Sequence, residues 1–145
     1  MKRLLVTAIL FASAISLSFA QGASTVTYVD HDKVATAIAN GGALANGPDF
    51  AVSIGRRTAP GQVEVHDKET DTVYVLDGEA TFVTGGTMVG GSVSRPNQHL
   101  GTDVQGGQTH HLTKGDVVTV PAGIPHWFKE VSKPITYYLV KISKP

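Results

Sequence analysis

Gly115-Asp116-Val117-Val118-Thr119-Val120-Pro121-Ala122-Gly123-Ile124-Pro125-His126 is the stretch around which the remaining chain can be read. Gly115-Asp116 supplies a tight turn. Val117 to Val120 are four residues, three of them valine, and their β-branching suits a buried strand. Pro121-Ala122-Gly123 breaks that strand, and His126 opens the next one beside Trp127 and Phe128. A histidine just after such a turn is held by backbone on both sides, with its ring aimed across the sheet. The backbone must bend sharply before His126, so Gly123→Val is expected to damage folding.

Outward from this stretch, the chain after Phe50 is a series of short alternating runs. They cover 50–57, 62–66, 72–76, 80–84, 110–113, 117–120, 126–131 and 135–142. Ala59-Pro60-Gly61, Asp77-Gly78 and Lys114-Gly115-Asp116 read as the turns between several of them. The pattern predicts an all-β fold, a small antiparallel barrel or sandwich, over residues 50–145. A glycine-rich segment from Gly85 to Gln108 is expected to form a hairpin excursion over one barrel mouth. Before the barrel, residues 21–49 form a lead-in with one short helix. Asp30 can cap that helix, which runs through Val34 to Ile38 and ends at Asn40-Gly41-Gly42. Val34, Ala37 and Ile38 share a face that should pack on the outside of the barrel. His31, at the helix start, is expected to be solvated.

The N-terminus has the order of an export signal: basic Met1-Lys2-Arg3, an apolar run from Leu4 to Phe19, and the small-x-small site Ser18-Phe19-Ala20. Residues 1–20 are therefore expected to be cleaved after Ala20, placing the protein in the periplasm or outside the cell. The run is too short and serine-rich for a comfortable membrane span, which needs roughly 20 apolar residues. Of the 12 basic and 12 acidic residues, the signal holds Lys2 and Arg3, so the mature chain carries 10 against 12, net −2. Nothing in that balance points to nucleic acid or a membrane surface as partner. There are no cysteines. This excludes disulfides and thiolate metal sites, leaving histidine and carboxylates as metal donors.

The second informative stretch runs from Glu64 to Gly78. Glu64 and His66 are two apart on a strand and face the same side. A carboxylate and an imidazole on the inner face of a small barrel need a partner that compensates their lost hydration. A divalent cation is the simplest one, with His126 arriving from the opposite strand. Blander readings remain open at this level: Glu64 and His66 bonded to each other on an exposed edge, Asp71 as a turn residue, and His126 as a satisfied core histidine. Phe128 shares the face of His126 and is a candidate for lining a substrate cavity. His111 is a further candidate for that lining, and His99 is expected in solvent. No basic residue is evident at the site positions, so a phosphorylated substrate is not favoured.

The two stretches resemble the two signatures of the cupin superfamily. The second signature, G-x5-P-x-G-x2-H-x3-N, is matched from Gly115 to His126, with Glu130 where the pattern has Asn. The first, G-x5-H-x-H-x3,4-E-x6-G, is matched in altered form. Counting back from Gly78, Asp71 falls in the Glu position, His66 on the second His, Glu64 on the first, and Thr58 on the leading Gly. Glu69 competes with Asp71 but is one residue short of the spacing. The resemblance implies a cupin jelly-roll barrel and a metal set of Glu64, His66, Asp71 and His126 around one divalent ion. Imidazoles with hard carboxylates favour Mn(II) or Fe(II), with Zn(II) also admitted. It further implies a homodimer, and a function among dioxygenases, isomerases, lyases, decarboxylases and non-catalytic binding proteins. A metal-dependent enzyme on a small organic molecule, of oxygenase type, is the first expectation. A module that captures a small ligand without chemistry is the second.

Overall fold

The structure is a computed structural model that describes residues 25–144. The expected export signal lies outside the described residues. Among the described residues, one helix, α1 (His31–Asn40), precedes eleven strands. They are β1 (Gly42–Asn46), β2 (Phe50–Arg57), β3 (Val63–His66), β4 (Glu69–Thr84), β5 (Thr87–Val89), β6 (Ser92–Arg95), β7 (Gln98–Gly101), β8 (Asp103–Gln105), β9 (Gln108–Leu112), β10 (Val117–Val120) and β11 (His126–Ser143). All pairings are antiparallel. The fold is an all-β jelly roll with the short helix α1 against β1 and β2.

Helix α1 starts where its chemistry dictates. The Asp30 carboxylate accepts the Lys33 backbone N–H at 3.0 Å, supplying one of the donors the first turn leaves unpaired. Only Ala37 of the expected apolar face is buried, while Ile38 stays partly in solvent.

Two long strands carry the architecture. β11 pairs with β2 through Ile135–Ile142 and with β4 along most of its length. β4 in turn pairs with β9 and β10. The core lies between these layers, with Phe82 edge-on to Phe128 at 4.6 Å and Phe128 stacked on Tyr137 at 5.1 Å. Each such buried ring contributes roughly 1.5–3 kcal/mol of transfer free energy.

The expected turn at Asp77-Gly78 is not a turn, and β4 runs through it unbroken. Nor does β11 stop between Val131 and Ile135. Gly78 takes φ +88° within the strand, and the β4–β11 register shifts between Glu130, Lys133 and Thr136. A left-handed residue opposite a register shift bends a strand without ending it. The glycine-rich segment is also more integrated than a loose excursion. β6 and β7 form a hairpin whose β7 pairs with β3, so it extends the sheet beside Glu64 and His66. β5 and β8 form a separate small sheet.

Candidate metal centre

The stretch from Gly115 to His126 folds as its residues dictate. The Asp116 carboxylate accepts the Thr113 N–H at 2.7 Å and closes the first turn. The Ile124 N–H donates to the Pro121 carbonyl at 3.2 Å in the second. At its crest, the Gly123 N–H donates to the carbonyl of His66 at 2.8 Å. The turn that delivers one histidine is thereby pinned to the strand that carries the other. Gly123 has φ +82°, but a Cβ there would meet nothing within 4 Å. The cost of adding a Cβ there is backbone strain, the same bend that Gly123→Val would oppose.

His126 stands opposite Glu64 in the β11–β3 register, and Asp71 stands opposite both Val120 and Lys141. These pairings bring the side chains to one end of a cavity of about 50 Å³, lined by Arg57, Glu64, Asp71, His126, Phe128 and Lys141 among others. His66 Nε2 lies 3.4 Å from Glu64 Oε2 and 3.5 Å from Asp71 Oδ2, and His126 Nε2 lies 3.7 Å from Asp71 Oδ2. The two imidazole centroids are 5.2 Å apart. Donor atoms of Glu64, His66 and His126 all fall within 4.8 Å of one another, close enough for one ion to be shared. Phe128 lines the cavity as expected.

The two histidines are tuned differently. Burial lowers the pKa of His126, and with Nδ1 donating to the Ile124 carbonyl at 3.2 Å, its Nε2 faces the centre as a neutral lone pair. For His66, burial also pulls downward, but hydrogen bonding to Asp71 and Glu64 outweighs it and raises the pKa to about 9. Burial would raise the carboxyls of Glu64 and Asp71, yet His66 with Arg57 and His126 around one, and with Lys141 around the other, holds both below the ordinary range.

His66 thus favours its protonated form in the metal-free protein, which sets the sign of two pH effects. Its folded pKa exceeds the ordinary 6.5, so its contribution to stability is full below about 6.5 and is lost as pH rises through about 9. A metal competes with that proton, so Mn(II) uptake near neutral pH should release a proton and tighten as pH approaches 9. Calorimetric titration in buffers of different ionisation enthalpy measures the release. Uptake without it would exclude His66 as a ligand.

The expectation that no basic residue reaches the site is overturned. Lys141 Nζ lies 2.7 and 2.8 Å from the two Asp71 oxygens, 3.2 Å from Glu69 Oε2 and 3.0 Å from His66 Nε2. The Lys141 charge beside Nε2 works against protonation of His66, which hydrogen bonding to Asp71 and Glu64 favours. Arg57 donates from Nη2 to Glu64 Oε1 at 3.3 Å and from Nε to the Tyr137 hydroxyl at 3.2 Å, with its guanidinium 4.9 Å above the Phe128 ring. Strand parity held the missed signal. Tyr137, Leu139 and Lys141 alternate along β11 and all line the cavity, but a run apolar on both faces hid which set faced inward.

His111 does not line the cavity. It is exposed, with Nε2 3.8 Å from a Glu79 oxygen, because its neighbour Leu112 takes the buried side of β9. His110 meets the Thr84 hydroxyl at 2.9 Å, and His99 meets Asp67 at 3.1 Å. His31 sits in solvent at the helix start, as expected.

Among families of known proteins, one described as Cupin matches residues 13–145. No curated protein matches the sequence. Solved structures that resemble the chain include BH2720 of Bacillus halodurans, with a TM-score of 0.57 and 15% identity, covering 86% of each chain. The Cnp3 cupin domain of Schizosaccharomyces pombe has a TM-score of 0.52 and 16% identity over 72% of this chain and 60% of that one. The hydroquinone 1,2-dioxygenase PnpCD, solved with Cd2+ and 4-hydroxybenzonitrile, has a TM-score of 0.53 and 20% identity over 71% of this chain and 63% of its own. The chain therefore spans less than two thirds of the last two, and at these identities the likeness is one of fold.

Proposed function

The chain belongs to the cupin family, and from that premise we propose that it binds one divalent metal ion through Glu64, His66 and His126 and acts with it on a small organic molecule. Oxygenase-type oxidoreduction is the favoured class, with isomerase or lyase chemistry on the same centre next. The observation that carries the reading is the convergence of these three side chains, with donor atoms within 4.8 Å of one another and both histidines buried. Asp71 is held through both oxygens by Lys141, which leaves a set of two histidines and one carboxylate. That set with open positions suits Fe(II), or Mn(II), in oxygen chemistry. When bound, such an ion supplies Lewis acidity and a place for oxygen or a chelating substrate.

The protein's own side chains do the remainder. Arg57 takes up Glu64 Oε1 and leaves Oε2 turned to the histidines. The Ile124 carbonyl fixes the His126 ring, and Phe82 and Phe128 wall the centre with apolar surface that keeps bulk water out. A cavity of about 50 Å³ supports a substrate of few heavy atoms. Export with cleavage after Ala20 and pairing as a homodimer belong to the same proposal. Among the described residues, no helix is long and apolar enough to cross a membrane.

The second reading is a non-catalytic module that captures a small ligand. Lys141 favours it, since its ammonium already neutralises Asp71 and Glu69 and so supplies charge that a metal would otherwise supply. The test is anaerobic loading with Fe(II), elemental analysis, and oxygen uptake against a panel of small organic acids, thiols and phenols. Metal retention with oxygen consumed alongside one of them supports the enzyme. Tight, unreactive binding of a small anion without metal would replace it with the second reading.

A further inference from the structure

We infer that the Lys141 side chain is a tethered cation filling a second cation position that overlaps the first, and that it limits the centre to one metal ion. Two groups of potential donors stand together: Glu64, His66 and His126, and also His66, Glu69 and Asp71. His66 belongs to both, but a neutral imidazole has a single lone pair, so with the first ion on His66 the second position rests on Glu69 and Asp71. The Lys141 amine is seated on the second group, with every member of it within 3.2 Å of Nζ. An ammonium carries three hydrogens, and three carboxylate oxygens, two of Asp71 and one of Glu69, lie within 3.2 Å of Nζ, so its hydrogen-bonding capacity is used up within this one cluster.

A second observation marks the position as incompletely satisfied. His66 is 2% exposed, and its Nδ1 has no hydrogen-bond partner among the described residues. That nitrogen lies 3.6 Å from Glu69 Oε2. The second group therefore keeps a buried imidazole nitrogen beside its two carboxylates. The tether is rigid at its base, because Lys141 lies in the middle of the sheet, opposite Asp71 on β4 and Ala51 on β2. Its stem emerges there on the cavity face, 19% exposed. With both oxygens of Asp71 held by Nζ, that carboxylate would have to give up a short ion pair to serve as a fourth ligand of the first ion. Removing the amine should free Asp71 and Glu69 together and leave two carboxylates to attract a divalent ion in its place.

The inference rests on the metal reading above for the first ion, but the second position is defined by Lys141 alone, so the two can fail separately. The probe is Mn(II), added to metal-stripped full-length protein and counted by elemental analysis and by the electron paramagnetic resonance of the bound ion. The parent should take one Mn(II), and so should Asp71→Asn. Lys141→Met should take a second, and Lys141→Met with Asp71→Asn should return to one. A Lys141→Met protein that binds one Mn(II) with the parent's affinity would overturn the inference. So would loss of the parent's ion on Asp71→Asn, since Asp71 would then belong to the first site. If the parent binds none but Lys141→Met binds one that Asp71→Asn removes, the inference stands and the metal reading of Glu64, His66 and His126 falls. If Lys141→Met does not fold, Lys141→Gln replaces it with the same expected counts.

Discussion

Gly78→Ala is expected to destabilise the protein by about 3 kcal/mol or more, enough to threaten a fold whose total stability is on the order of 5–15 kcal/mol. Two independent effects add. Gly78 has φ +88°, a conformation that costs an L residue roughly 1–2 kcal/mol. Its missing Cβ would also lie 2.0 Å from the carbonyl oxygen of Pro134 and 2.7 Å from Cα of Ile135. Both obstacles are backbone of β11, so no side-chain rotation can relieve them. The neighbouring strand would have to move, and it carries Ile135 and Tyr137 in the core. Gly123→Ala is the control, because Gly123 has a similar φ of +82° but open space around it. It should lose only the backbone term, about 1–2 kcal/mol. Urea unfolding of the two metal-free variants gives the comparison. Equal losses would show that the contact with Pro134 is not what makes glycine necessary at 78.

His126→Ala is expected to lower affinity for Mn(II) or Fe(II) by at least about 100-fold while leaving the fold cooperative. Even groups that only orient a ligand are worth roughly 10–100-fold in metal affinity, so a direct donor should exceed that. The backbone pairing of residue 126 with Glu64 does not depend on the side chain, which is why folding should survive. Glu64→Gln and His66→Ala should also lose metal. His99→Ala and His110→Ala should not, since these rings are bonded to Asp67 and Thr84 rather than to the centre. Isothermal titration with the stripped proteins measures all five. Full occupancy in His126→Ala would remove the strongest member of the proposed ligand set.

The histidine-bearing turn was legible because everything that shapes it is local. Gly115, the valine run and Pro121 through Gly123 carry their backbone preferences wherever they occur, and β10 and the start of β11 fall where those preferences put them. The helix cap at Asp30 was legible for the same reason. Asp77-Gly78 misled because glycine after aspartate serves a turn and a bulge equally well. The choice was made by Pro134, more than 50 residues away.

By itself the sequence determined an all-β chain with one capped helix, and it marked Glu64, His66, Asp71 and His126 as groups that should meet. Alternation on a strand and the bend after Val120 require only neighbours in the chain. What those groups meet was decided by tertiary structure alone. The Lys141 amine reaches Asp71 across a separation of 70 residues and His66 across 75, by way of the β11–β4 register. Only that register turns one residue of an apolar strand into the cation at the centre, because a charge acts on what lies within a few ångströms in space and not along the chain.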